Sequence, residues 1–139
     1  MTRHRTRGAA LAIALSAASM AACTPSTSGS TYKIATASVR SDFILLARTE
    51  GVLGGRTNPD GTACFWLGQS DAGVALSWPY GYSARANPLA VYDDSGNRVA
   101  TVGQRVVMAG GTLADGVSSI PGCSGFTVFW GVGRVEHVS

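Results

Sequence analysis

The sequence predicts one all-β domain, built either as a small barrel or as a β-sandwich. Its 139 residues suit a single domain, since domains usually run to about 100–200 residues. Glycine occurs 18 times and only 14% of residues are charged, against about 25% in average soluble domains, which is typical of a compact, turn-rich chain. Short apolar stretches alternate with turn residues, and a sheet with one apolar face must close on itself or pack on another sheet.

The first 22 residues have the three-part layout of a secretory signal peptide. "MTRHRTRG" is basic, "AALAIALSAASMAA" is apolar, and small residues precede Cys23. The apolar run from Gly8 to Ala22 is shorter than the roughly 20 residues that a membrane-spanning helix needs. We therefore expect residues 1–22 to direct export and to be removed.

Met20-Ala21-Ala22-Cys23 resembles the lipobox of bacterial lipoproteins, in which a Leu-like residue and two small residues precede the cysteine. The resemblance implies that the Cys23 sulfur receives a diacylglycerol and that Cys23 becomes the first residue of the mature chain. Met20 stands where Leu is commonest. The uncharged stretch "TPSTSGSTY" that follows suits a flexible tether. The predicted organisation is a signal peptide at 1–22, a lipid-anchored tether at 23–36 and a β domain at 37–139, held on the outer face of the cell membrane.

Ordinary cleavage after Ala21 is the alternative, because Ser19 and Ala21 form a small-x-small site. It would release a soluble protein with a free thiol at Cys23. A free exposed cysteine is reactive in an oxidising compartment, which favours lipidation. A single acyl chain holds a protein only marginally, and the lipoprotein modification supplies at least two.

The charges of the mature chain cancel. The formal net charge of the whole sequence is +3, but three of its eleven basic residues lie within the first eight residues. From Cys23 onward, eight Lys and Arg stand against eight Asp and Glu. Nucleic-acid binding draws most of its affinity from basic side chains that neutralise phosphates, so we do not predict a nucleic acid as partner.

Cys64 and Cys123 are predicted to form a disulfide, because they are an even pair in an exported protein. The competing interpretations are metal ligation and a catalytic thiol. Both lack support, since there is no C-x-x-C spacing and His137 is the only histidine after Cys23. No metal and no cofactor is predicted.

Strands follow one another from residue 43 onward. "FILLARTEGVLGGRT", "NPDG" and "TACFWLG" predict a hairpin with Pro59 at the second turn position and Gly61 where a positive φ is needed. "GVALSW" is the next strand. Within residues 39–48, "VRSDFILLAR" also places apolar residues on one helical face, so a short helix is an alternative there. A second helical stretch, residues 84–90, is interrupted by Pro88.

In "LAVYDDSGNRVATVGQRVVMAGG", residues 93–97 turn one strand into the next, and Gly103-Gln104 marks a second break. "TLADGVSSIPGCSG" predicts a long loop attached through Cys123, and "FTVFWGVGRVEHV" alternates as the last strand. About six strands favour a closed or partly open five-stranded barrel like the OB-fold, with a β-sandwich as second choice.

"WPYGYSARANPLAVYDDSGNRVATVGQRVVMAGG", Trp78 to Gly111, resembles a pattern of small exported lipoproteins from high-GC Gram-positive bacteria. The pattern is W-P-x-G-Y, then V-x-D-x-x-G-x-x-V-A-x-V-G, then a strand ending in Gly-Gly. With Gly51 to Leu67 it covers somewhat more than a third of the chain. These relatives are uncharacterised, so the resemblance implies an envelope location and a fold but no activity.

The candidate binding residues are aromatic. Trp78, Tyr80 and Tyr82 alternate and would share one side of an extended strand. They form either part of the core or an exposed strip beside Arg85 that stacks on sugar rings or peptide side chains. Pro79 within the run suggests a strand edge, which favours exposure. The partner would be an envelope glycan or a protein.

Catalysis is not predicted. A Ser-His-Asp site would need His137 near the C-terminus, and no G-x-S-x-G motif is present. Asp93 and Asp94 are neighbours and would face opposite ways on a strand, and residues 93–97 lack the spaced ligands of a calcium loop. The leading prediction is a non-catalytic, membrane-anchored binding module; an envelope hydrolase is less favoured.

Overall fold

The computed structural model describes residues 29–41, 45–70, 72–113 and 117–139. The predicted signal peptide and Cys23 lie outside the described residues. The strands are β1 (Thr31–Tyr32), β2 (Ala47–Thr57), β3 (Ala63–Leu67), β4 (Val74–Ser77), β5 (Ser83–Arg85), β6 (Ala90–Tyr92), β7 (Arg98–Thr101), β8 (Arg105–Thr112) and β9 (Phe129–Val138). Within the described ranges there is no helix, and so none with the length and apolar character to cross a membrane.

Five strands close a barrel in the order β2-β3-β4-β9-β8, with β8 pairing back to β2. The pairs are antiparallel, apart from the parallel pair of β4 and β9. A five-stranded barrel of this kind is the architecture of the OB-fold. Fully buried side chains such as Leu53, Phe65 and Met108 fill its interior. The predicted all-β fold is therefore confirmed.

A second sheet, in the order β1-β5-β6-β7, lies on the barrel. Along the chain, its strands β5 to β7 come after β4 and before β8. Ala84, Val91 and Ala100 of this sheet belong to the same buried cluster as Leu53 and Phe65 of the barrel. The barrel and the small sheet thus share one core, and their stacking has the two-layer character of a sandwich.

The domain begins earlier than residue 37, where the tether was predicted to give way to it. Thr31 and Tyr32 pair with β5, and the Lys33 amide donates to the Gly61 carbonyl oxygen at 3.1 Å. Ile34 and Ala35 are buried, with 9% and 3% exposure. The Ser/Thr-rich composition of this segment gave no indication of strand β1 or of the buried residues that follow it.

The alternative helix at residues 39–48 is wrong over its described part, because Ala47 and Arg48 open strand β2. The first half of β2 pairs with β8 and its second half with β3. Hydrogen-bonding partners in the sheet outweigh a helical spacing of apolar residues. Residues 42–44 lie outside the described part.

The predicted hairpin and disulfide are both present and are joined to each other. The Gly61 amide donates to the Asn58 carbonyl oxygen at 3.2 Å, and Gly61 has φ +84°. The Asn58 side-chain amide donates to the Gly122 carbonyl oxygen at 2.8 Å, next to the Cys64–Cys123 disulfide, whose Cα atoms lie 5.0 Å apart. The loop before β9 is therefore attached to the barrel at two points.

That loop and the first residue of β9 cover the outer face of β3 and β4. Ile120, Phe126 and Phe129 are buried with the disulfide against Trp66 and Ala75, in a cluster separate from the main core. In OB-folds a barrel face and its adjoining loops bind oligonucleotides or oligosaccharides. Here the face of β3 and β4 is occupied by the protein's own side chains.

Candidate binding groove

Trp78, Tyr80 and Tyr82 do not form the predicted aromatic strip, because the chain makes a turn between Pro79 and Tyr82. The Tyr82 amide donates to the Pro79 carbonyl oxygen at 3.3 Å, and Gly81 between them has φ +84°. Trp78 is 1% exposed, Tyr80 is 47% exposed and Tyr82 is partly buried. The prediction that the three rings share one face of an extended strand is wrong.

Trp78 belongs to the core. Its ring lies edge-on to Phe65, with centroids 6.0 Å apart, and stacks on Tyr82 at 6.3 Å. Its indole Nε1 is buried and has no hydrogen-bond partner among the described residues. The side chain therefore fills space between the barrel and the small sheet and is not available to stack on a ligand.

Arg85 contacts a different aromatic ring. Its guanidinium sits over the ring of Tyr92, 4.3 Å from the centroid, on the small sheet. The cation beside Tyr80 is instead Arg40, 5.7 Å from the ring centroid. Because Arg40 and Tyr80 lie far apart in the chain, no local pattern in the sequence indicates that they meet.

Tyr80 forms one wall of a groove of about 180 Å³, which we call the Tyr80 groove. Its lining is almost entirely apolar or glycine and comes from the segment before β2, the turn after β4, and strands β8 and β9. The lining residues are Ala37, Val39, Ser41, Leu45, Pro79, Tyr80, Gly110, Gly131, Val132 and Gly133.

Glycines of β8 and β9 form the floor of this region. A Cβ atom at Gly110 would overlap the Gly131 carbonyl oxygen and lie 2.6 Å from the indole nitrogen of Trp130. A Cβ atom at Gly111 would overlap the side chain of Leu45. Because Gly111 has no side chain, Leu45 can pack directly against strand β8. The Gly-Gly pair that ends the sequence pattern thus has a packing role.

An ion pair borders the groove. A guanidinium nitrogen of Arg40 lies 2.6 Å from a carboxylate oxygen of Asp94, and the two side chains are 68% and 33% exposed. Pairs of such exposure contribute about 0–1 kcal/mol to stability. Their effect here is positional, because the pair holds Arg40 beside Tyr80.

Asp93 stabilises the turn at residues 93–97, which includes the Asp94 of this ion pair. One of its carboxylate oxygens accepts hydrogen bonds from the Ser95 and Asn97 amides, both at 2.9 Å. These bonds, chiefly the one from the Asn97 amide, hold the pKa of Asp93 below its ordinary value. The turn predicted at residues 93–97 is confirmed.

The phenol of Tyr82 lies near this turn. Burial raises its pKa, and the charges of Asp93 and Asp94 raise it further.

The turn at Gly81 contacts this second turn closely. A Cβ atom at Gly81 would lie 2.8 Å from the Cβ atom of Asp94, and φ there is +84°. We expect Gly81→Ala to lower the free energy of unfolding, measured with urea, by about 1–3 kcal/mol. The added methyl group would strain the backbone at this positive φ and would also overlap the side chain of Asp94. Gly103→Ala is the matched control: its φ is +96° with no atom within 4 Å of the added methyl, so its loss should be smaller. If both variants lost the same free energy of unfolding, the close contact between Gly81 and Asp94 would be contradicted.

Charged residues elsewhere form pairs on the barrel surface. Glu136 on β9 pairs with Arg48 at 2.8 Å and with Arg134 at 3.2 Å, and Glu50 pairs with Arg105 at 2.9 Å. His137 lies exposed within β9, in register with Val107. The described residues contain no group of three or more His, Cys, Asp or Glu side chains placed to hold a metal ion.

No protein-family model, curated protein or solved structure matches the chain. The site is therefore interpreted from its own geometry. In the Tyr80 groove the polar side chains are Ser41 and Tyr80, and the remaining contacts are apolar. The groove is smaller than the ~300–1,000 Å³ of small-molecule sites, so it suits one or two apolar side chains or the end of an acyl chain.

Proposed function

We propose that this protein is an extracytoplasmic lipoprotein, anchored to the cell membrane through Cys23, whose β domain is a non-catalytic binding module of the cell envelope. The observation that carries the proposal is the Cys64–Cys123 disulfide. It uses two of the three cysteines and leaves Cys23 as the third. Disulfides persist in oxidising compartments, which supports export, and the lipobox-like residues before Cys23 support lipidation.

The character of the available surface supports binding. The Tyr80 groove offers apolar contacts bordered by Arg40 and Asp94. The barrel face of β3 and β4 is covered by Ile120, Phe126 and Phe129. An envelope component or a protein partner with apolar groups is the kind of ligand that this surface fits.

The experiment compares wild-type protein with Cys23→Ser in a bacterial host that processes lipoproteins. We expect wild-type protein to enter the detergent phase on phase separation, with an intact mass that begins at Cys23 and includes at least two acyl chains. The Cys23→Ser protein should lack this mass, since serine has no sulfur to modify. Ser26→Ala, which removes a nearby hydroxyl and leaves the thiol, is the control and should behave as wild type.

A different mass would contradict the anchor. A wild-type chain that begins at Ala22, carries no acyl group and stays in the aqueous phase would identify a secreted, soluble interaction protein. That is the alternative favoured by Ser19 and Ala21 before the cleavage point.

A further inference from the structure

Exposed apolar side chains line the Tyr80 groove. Val39, Leu45 and Tyr80 belong to its lining and are 66%, 60% and 47% exposed. The other large apolar side chains that are exposed in the described part of the chain, Leu46, Val52, Val117 and Val128, are not part of that lining. Val39, Leu45 and Tyr80 form what we call the groove patch.

The connection to Cys23 is short compared with the domain. Cys23 and Gly29 are six residues apart, which spans at most about 22 Å when fully extended. A domain of about 110 residues has a radius of gyration of about 13 Å and a diameter of roughly 34 Å. If Cys23 carries lipid, as proposed above, the tether is shorter than the domain is wide, and some face of the domain must rest near the bilayer.

We infer that the groove patch is the face that contacts the membrane, with phospholipid acyl chains as the occupant of the Tyr80 groove. Val39 and Leu45 enter the boundary between headgroups and acyl chains, where interfacial segments bury their apolar side chains about 5–10 Å deep. The inference rests on the proposed lipid anchor, which supplies the attachment, so the patch has only to orient the domain.

The polar groups around the patch fit the same location. Tyrosine is enriched at the level of lipid headgroups, where its ring is buried and its hydroxyl remains hydrated. Arg40, beside Tyr80, has an apolar stem that can lie along the apolar surface while its guanidinium, paired with Asp94, stays at the level of the polar headgroups. The groove's volume and lining suit the end of an acyl chain better than a polar ligand.

The test uses the full-length lipidated protein in vesicles of phosphatidylglycerol and phosphatidylethanolamine that carry bromine on their acyl chains. Bromine quenches tryptophan fluorescence at short range. Val39→Trp places a probe in the groove patch. Val52→Trp is the matched control, because Val52 is also an exposed valine and lies within β2, outside the lining of the groove. Wild-type protein supplies the background of its three native tryptophans.

We expect quenching of the added tryptophan to be several-fold greater at position 39 than at position 52. Adding Leu45→Glu to the Val39→Trp variant should abolish the difference while the protein still floats with the vesicles. Vesicle flotation reports the lipid anchor separately: wild-type protein that does not float contradicts the proposed function. Protein that floats with position 39 unquenched, or with both positions quenched equally, overturns the membrane-facing patch and leaves the anchor intact.

Discussion

Replacing Cys64 and Cys123 together by alanine is expected to lower the free energy of unfolding by about 4 kcal/mol, the value that the chain-entropy model gives for a loop of this length. The two cysteines are 59 residues apart, and the disulfide restricts the unfolded chain over that whole length. Single domains are stable by only about 5–15 kcal/mol, so the loss is a large share of the total. Alanine is the appropriate replacement, because both positions are buried and a serine hydroxyl would lack a partner.

Urea unfolding of oxidised and reduced protein measures the effect. Reduced wild type should unfold at the same urea concentration as the double alanine variant, since both lack the cross-link. Cys23→Ala serves as control and should unfold with oxidised wild type, because it leaves the disulfide in place. A double variant that loses less than about 1 kcal/mol would show that the loop contributes little to the unfolded-state entropy.

Trp78→Ala is expected to cost about 3–5 kcal/mol, the range for removing a large buried aromatic side chain. Trp78 is 1% exposed and contacts Phe65 and Tyr82, so its removal leaves a cavity where the barrel meets the small sheet. The unpaired indole nitrogen reduces the net loss, because alanine also removes a buried donor that has no partner among the described residues.

Tyr80→Ala is the comparison for Trp78→Ala, since the two residues are neighbours in the predicted strip but differ in burial. With 47% exposure, Tyr80 should change the free energy of unfolding by about 0.5 kcal/mol or less. Thermal and urea unfolding of both variants gives the contrast. If Trp78→Ala kept wild-type stability, the assignment of Trp78 to the core would be refuted and a binding role for its ring would gain support.

Local features were predictable from the sequence because their causes are local. The turn at residues 58–61 depends on its own Pro and Gly, and the turn at residues 93–97 on the Asp93 carboxylate and the amides that follow it. The disulfide followed from cysteine counting in a chain that the sequence predicts to be exported. The barrel followed from several short strands with hardly any helical pattern.

The remaining features depend on contacts that no local pattern encodes. β1 forms because Thr31 and Tyr32 pair with β5, more than fifty residues later. The turn from Pro79 to Tyr82 directs Tyr80 away from the buried Trp78, although a strand spacing would place the two rings on one side. The Tyr80 groove combines parts of the chain that only barrel closure brings side by side, so composition and spacing could not reveal it.

The position of β9 also determines when the barrel can form. β9 lies between β4 and β8 and pairs with both, in parallel with β4 and antiparallel with β8. A chain that emerges N-terminus first, from a ribosome or a translocation channel, carries β2, β3, β4 and β8 with an open seam until Phe129–Val138 has followed. Closure of the barrel is thus governed by contacts distant in sequence, which makes folding slow and delays it until β9 has been delivered.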